Sequence, residues 1–238
     1  MVMQGLAKSR EQAGSLLMSG KVFVNQKRVE KSGQQVPIDS KIDLKGKTHP
    51  WVSRGGIKLE KAVLEFNLNC QSVTALDIGA STGGFTDVLL ANGADKVYAV
   101  DVGYGQLDWK LRQDKRVIVK EKTNARFLTN QIIIDPLDAI VCDASFISLK
   151  KVLPSGLKLL KNNGWLAALI KPQFEVGKGL VGKGGVVRNT ELHQAVKNDI
   201  KNWIQFEMKM NLLGIVDSPI LGPSGNKEFI IVATKLLN

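Results

Sequence analysis

Apolar positions along most of this chain follow two rhythms, short unbroken runs and stretches with apolar residues three or four apart. The runs at 73–77, 97–101, 117–120, 138–143 and 165–170 predict buried strands. The stretch 56–66, with Leu59, Val63 and Phe66 on one face, predicts a helix ahead of them. Further helices are predicted at 84–90, 148–160 and 191–208, the last carrying Leu192, Val196, Ile200, Trp203 and Ile204. Two final strands, 212–216 and 229–234, flank the turn Gly222-Pro-Ser-Gly225. Strands alternating with helices predict an α/β domain around a mostly parallel, doubly wound sheet.

The first fifty residues follow a different pattern. Ser9-Arg-Glu-Gln12 opens a helix with Ala13, Leu16 and Leu17 at helical spacing, ending near Gly20. Residues 21–30 form two short β runs around the polar pair Asn25-Gln26, and 36–44 a further turn and strand. The expected organisation is a small α+β domain at 1–48, a linker at 49–55 and the α/β domain at 56–238.

Composition then narrows the class. A hydrophobic fraction of 44% suits a folded globular chain, and a formal charge of +11 suits a polyanionic partner. Residues 1–50 alone carry nine Lys/Arg against four Asp/Glu. No apolar run approaches the ~20 residues of a membrane-spanning helix, and the N-terminus lacks a secretory core. Cys70 and Cys142 are too few for a disulfide framework or a zinc site and read as small buried residues of a reduced, cytoplasmic protein. His49 and His193 lie far apart, and no metal site is expected.

The chemistry begins at Asp77-Ile-Gly-Ala-Ser-Thr-Gly-Gly-Phe85, a glycine-rich turn between a strand and a helix. Glycines there let backbone approach a ligand and adopt positive φ. A dinucleotide fingerprint does not fit, since Ser81 stands where its second glycine belongs, and Asp77 would repel a pyrophosphate. A carboxylate favours instead the sulfonium and ammonium of S-adenosylmethionine. Asp101 ends the next strand 24 residues on, placed to accept hydrogen bonds from ribose hydroxyls.

Five collinear blocks carry a resemblance. They are Val52-Ser-Arg-Gly-Gly-Ile-Lys-Leu-Glu60, Asp77-Ile-Gly-Ala-Ser-Thr-Gly-Gly-Phe-Thr-Asp87, Cys142-Asp-Ala-Ser-Phe-Ile-Ser148, Ile170-Lys-Pro-Gln-Phe-Glu175 and Gly225-Asn-Lys-Glu-Phe229. Together they closely resemble the hemolysin A (TlyA-type) family. That resemblance implies an S4-type RNA-binding domain joined to a Rossmann-like, FtsJ-like S-adenosylmethionine-dependent methyltransferase domain. It further implies 2′-O-methylation of cytidine in 16S and/or 23S ribosomal RNA. Members usually carry about one more helix ahead of the segment matching residues 4–10, so the S4-type domain reads as shortened.

The resemblance also implies a catalytic tetrad of Lys58, Asp143, Lys171 and Glu228. Cofactor contacts would fall on Asp77, Gly79, Ser81, Thr82, Gly83, Asp101, Asn124 and Asp143. Lys171 is assigned as the base or hydroxyl-orienting group, oriented by Asp143, with Glu228 holding the lysine pair. Lysine serves as a base only when neutral, a form that burial and a like-charged neighbour both favour. Candidate RNA contacts are Lys8, Arg10, Lys21, Lys27 and Arg28 in the first domain, and Arg54, Lys178, Lys183 and Arg188 in the second. The stretch 177–185, rich in glycine and lysine, reads equally as a flexible linker or as a loop gripping RNA. A partner with a 2′-OH must be RNA, here ribosomal RNA or a ribosomal subunit. Competing functions are a membrane-active hemolysin and an RNA-binding protein with an inactive methyltransferase fold.

Overall fold

The computed structural model describes residues 1–236 other than 8, 19, 30, 32, 38, 45–48 and 223. The chain divides into two compact units, Met1–Pro50 and Trp51–Asn238.

The first unit sets helix α1 (Arg10–Met18) beside a three-stranded antiparallel sheet of order β2-β1-β3. The strands are β1 (Val22–Val24), β2 (Lys27–Arg28) and β3 (Ile42–Leu44). Asn25 and Gln26 both take positive φ (48° and 67°), the two-residue reversal that matches strand twist and that asparagine tolerates. Leu17, Val22 and Val29 form its small core.

The second unit opens with α2 (Gly55–Glu65), then β4 (Thr74–Ile78), α3 (Gly84–Ala91), β5 (Lys96–Val100), α4 (Trp109–Arg112) and β6 (Val117–Lys120). It continues through β7 (Leu137–Cys142), α5 (Leu149–Val152), α6 (Pro154–Leu159), β8 (Leu160–Ile170) and α7 (Pro172–Glu175). Helix α8 (Thr190–Asn202) and strands β9 (Met210–Asp217) and β10 (Phe229–Lys235) complete it. The seven strands are ordered β6-β5-β4-β7-β8-β10-β9, parallel except for β10, which runs against both neighbours.

Period-two alternation assigns the two faces. Leu76, Ile78, Ile140 and Leu166 pack toward α5, α6 and α8, whereas Ala75, Val97, Val141 and Ala167 pack toward α2 and α3. Three local readings change. The helix expected over 148–160 is two short helices broken before Pro154, because proline cannot donate within a helix; the chain from Leu160 is already strand. The helix expected over 191–208 ends at Asn202 and passes into a π-type turn, Trp203–Glu207. On α2 the buried positions are Gly56, Lys58, Leu59 and Ala62, with Val63 and Phe66 only half-buried, so a lysine faces inward.

Candidate active site

The strand order reverses at β4, flanked by β5 on one side and β7 on the other, and ligand clefts open at such points beyond the carboxyl ends of the strands. A cleft of about 630 Å³ lies there, of a size suited to a small-molecule ligand. Its walls include Gly55 and Lys58 from the start of α2, Asp77 near the end of β4 and Gly79 just after it, and Asp143 after β7. Lys171 after β8 and Glu228 before β10 close the far side.

Four charged side chains meet in this cleft. Glu228, 1% exposed, accepts a hydrogen bond from Lys58 Nζ at 2.7 Å. Lys58 Nζ lies 3.6 Å from Asp143 Oδ2, and Lys171 Nζ lies 2.6 Å from Asp143 Oδ1. Lys171 also donates to the Asp143 main-chain oxygen at 3.0 Å and to Ser145 Oγ at 2.9 Å. The sequence Glu228–Lys58–Asp143–Lys171 therefore alternates in charge and sums to zero, the condition under which buried ions are tolerated. Gly222 makes room for it, since a Cβ there would stand 2.4 Å from Glu228 Oε1. Glu228 contacts Lys58, and Asp143 is the group that touches both lysines.

The glycine loop is built for packing as much as for a ligand. Gly79 takes φ 78°, and a Cβ there would sit 2.9 Å from Ala144 Cα on the neighbouring strand end. Gly83 (φ 92°) is filled by Leu107 and Leu111 and does not line the cleft. Asp77, Gly79, Ser81, Thr82 and Asp143 line it; Asp101 and Asn124 do not. Asp101 instead accepts from Ser81 N at 2.8 Å and Gly103 N at 2.7 Å, and Asn124 caps the 3₁₀ turn at Ala125–Phe127.

Asp77 is fully buried. Its Oδ2 accepts from Thr86 N and Thr86 Oγ1, while Oδ1 has no hydrogen-bond partner among the described residues. Burial pushes its carboxyl up to about 7, with the nearby Asp143 carboxylate adding to the rise and the Thr86 hydrogen bonds opposing it. A buried carboxylate oxygen lacking a donor in a cleft wall fits a ligand that brings a cation, as S-adenosylmethionine would through its ammonium group.

The rim also contains residues of the collinear sequence blocks to which no spacing or pattern gives a role. Phe146 is 90% exposed at φ 64°, with its ring 5.1 Å from that of Phe174. The loop carrying it is pinned from behind by Glu175, whose carboxylate accepts from Ser148 Oγ (2.6 Å) and Leu149 N (2.8 Å). Burial raises the Glu175 carboxyl above its ordinary range. Asn226, 2% exposed, accepts from Val187 N at 3.0 Å and donates to Gly185 O at 2.9 Å, tying the glycine- and lysine-rich stretch to the cleft. That stretch holds a 3₁₀ turn at Lys178–Leu180 and a reversal at Gly184 and Gly185, both at φ 76°.

Of the candidate RNA contacts, Arg54 lines the cleft, and Lys183 and Arg188 are exposed near it; Gly185, between these two, is in its wall. Arg10, Lys21, Lys27 and Arg28 lie in the first unit. Lys8 and the Lys178 side chain lie outside the described residues.

The sheet order, the antiparallel β10 and the charged cleft at the switch point define the class: a Rossmann-like methyltransferase domain. Aeropyrum pernix fibrillarin, solved with bound S-adenosyl-L-methionine, shares this fold at TM-score 0.53 and 15% identity, over 85% of each chain. The chain belongs to the FtsJ-like methyltransferase family, whose model matches residues 51–235, and an S4 domain model matches residues 1–42. The 16S/23S rRNA (cytidine-2′-O)-methyltransferase TlyA of Mycobacterium tuberculosis is 44% identical, covering 97% of this chain and 86% of that protein. Hemolysin A of Brachyspira hyodysenteriae is 40% identical, covering 95% and 94%. A Streptococcus thermophilus structure bearing the hemolysin name aligns at TM-score 0.79 and 43% identity, over 98% of this chain and 86% of that one.

Proposed function

We propose that this protein methylates a ribose 2′-OH in ribosomal RNA, at cytidine in the 16S and/or 23S molecule, using S-adenosylmethionine. The observation that carries this reading is the charge-balanced chain Glu228–Lys58–Asp143–Lys171 in the cleft of a methyltransferase fold. Residues 1–48 are assigned to RNA capture and 56–238 to catalysis, working in the cytoplasm where ribosomal RNA is found.

The bound cofactor supplies an electrophilic methyl group on a sulfonium. The chain must align a ribose hydroxyl with it and remove the hydroxyl proton as the oxygen is alkylated. Asp77, with Gly79, Ser81 and Thr82, would hold the cofactor, and Asp143 borders both halves of the cleft. Lys171 is the base: its nitrogen is held by the Asp143 carboxylate, the Asp143 carbonyl and Ser145. Glu228 and Lys58 fix the Asp143 carboxylate from behind. Phe146 exposes a ring at the rim on which a base can stack. Arg54, Lys183 and Arg188 would meet phosphates.

Lys171→Ala is expected to abolish methyl transfer from labelled cofactor to ribosomal subunits, a loss on the order of 10²–10⁴-fold for a general base. Cofactor affinity by calorimetry should be retained. Ribose methylation mapped by resistance to alkaline cleavage identifies the nucleotide. Normal transfer by Lys171→Ala, or transfer to no ribosomal RNA, removes the assignment.

A further inference from the structure

We propose that Ser145 is a catalytic residue that relays the ribose proton to Lys171. The inference rests on the reading of Lys171 as the base and deepens it.

Lys171 is buried (6% exposed), whereas Ser145 lies at the exposed surface of the cleft. Among the described residues, the Lys171 nitrogen lies in ion-pair contact with Asp143 Oδ1 at 2.6 Å and hydrogen-bonds to the Asp143 carbonyl at 3.0 Å and to Ser145 Oγ at 2.9 Å. A carboxylate and a carbonyl can only accept hydrogen bonds; a hydroxyl both accepts and donates. When Lys171 is neutral it keeps two N–H donors, one for the Asp143 carbonyl and one free to turn toward the Asp143 carboxylate that lies in ion-pair contact, and it gains a lone pair. Of its three neighbours only Ser145 can turn a donor toward that lone pair. With the Ser145 hydrogen pointing at Lys171, the Ser145 oxygen presents its own lone pairs to the cleft, where an incoming hydroxyl can donate to them.

The proton count closes. As the ribose oxygen bonds to the methyl group, the methyl–sulfur bond breaks and its electron pair stays on sulfur, which leaves as a neutral thioether; the ribose O–H bond breaks and that proton passes to Ser145 Oγ. The original Ser145 proton passes at the same time to Lys171 Nζ. Ser145 ends as a hydroxyl accepting from the new ammonium, which is the arrangement the structure shows, and Lys171 returns the proton to water before the next turnover. The charged groups around Lys171 are Asp143 beside it, Lys58 and Glu228 across Asp143, and Asp77, whose carboxyl feels Asp143.

The test is single-turnover methylation of ribosomal subunits by the full chain in mixtures of H₂O and D₂O. Two protons in flight give a curved dependence of rate on deuterium fraction in the wild type, and a linear wild-type dependence overturns the relay whatever the variants do. Ser145→Ala should lower the single-turnover rate at least about 10²-fold, within the range of general acid–base catalysis, with S-adenosylmethionine affinity and the RNA KM unchanged. Ser145→Thr, which keeps the hydroxyl, should recover most of it. If Ser145→Ala stays within about threefold of wild type while Lys171→Ala is inactive, the relay fails and the base stands. Equal loss in the Ala and Thr variants also overturns it, since the hydroxyl would not be what matters. Activity in Lys171→Ala removes the base and the relay together.

Discussion

At the scale of single residues, the site depends on where ions are buried and what neutralises them. Asp77 shows this most clearly. Its carboxyl lies at about 7 rather than the ordinary 3.8, so the folded chain holds this proton more tightly than the unfolded chain. The associated stabilisation is complete below about 3.8 and is lost as pH rises through about 7. Asp77→Asn should therefore raise the melting temperature relative to wild type at pH 8 and lose that advantage near pH 4, which calorimetric melts will show. A cation placed at Oδ1 favours the ionised form, so S-adenosylmethionine binding near pH 6.5 should release a proton from wild type and not from Asp77→Asn. Calorimetry in buffers of differing ionisation enthalpy measures that release; an identical proton count for both proteins would separate Asp77 from the cofactor. Sequence marked Asp77 as an acid at a strand end. Its lone oxygen became visible only once Thr86, nine residues away, was seen to occupy the other.

At the scale of elements, strand ends and helix starts present the chemistry. Strands β4, β7 and β8 end at Ile78, Cys142 and Ile170, and each is followed within one or two residues by a cleft residue. Sequence periodicity locates such ends well because a buried parallel strand is an apolar run with a sharp polar stop. It misjudged 148–160, where helical spacing continues across Pro154, and it left 177–185 open between linker and gripping loop. The latter depends on Asn226, some forty positions downstream, whose amide spans Gly185 and Val187. Asn226→Ala should free that segment: protease cleavage within 177–188 is expected to accelerate, and the RNA KM to rise several-fold with cofactor affinity unchanged. Unaltered proteolysis and KM would show the amide to be dispensable.

At the scale of the whole molecule, a net charge of +11 suits a polyanionic substrate. Binding to ribosomal RNA should weaken steeply with salt, and Lys183→Ala and Arg188→Ala should each lower the log–log salt slope by about 1 if each meets one phosphate. Unchanged slopes would place the RNA elsewhere. No helix among the described residues is long and apolar enough to cross a membrane, and Trp203 and Ile204, apolar residues following α8, are core rather than an exposed face. By itself the sequence determined the two-part organisation of patterns, the α/β class, the glycine turn and its acids, because these follow from local periodicity and from residue types at neighbouring positions. It named Lys58 and Glu228 only through family resemblance, since a lysine on an amphipathic helix is ordinarily a solvated charge. Tertiary structure alone decided that these two, 170 positions apart, bond at 2.7 Å, and that Asp143 joins them to Lys171. Ion pairing of this kind arises when sheet closure buries the charges together, and no spacing along the chain encodes it.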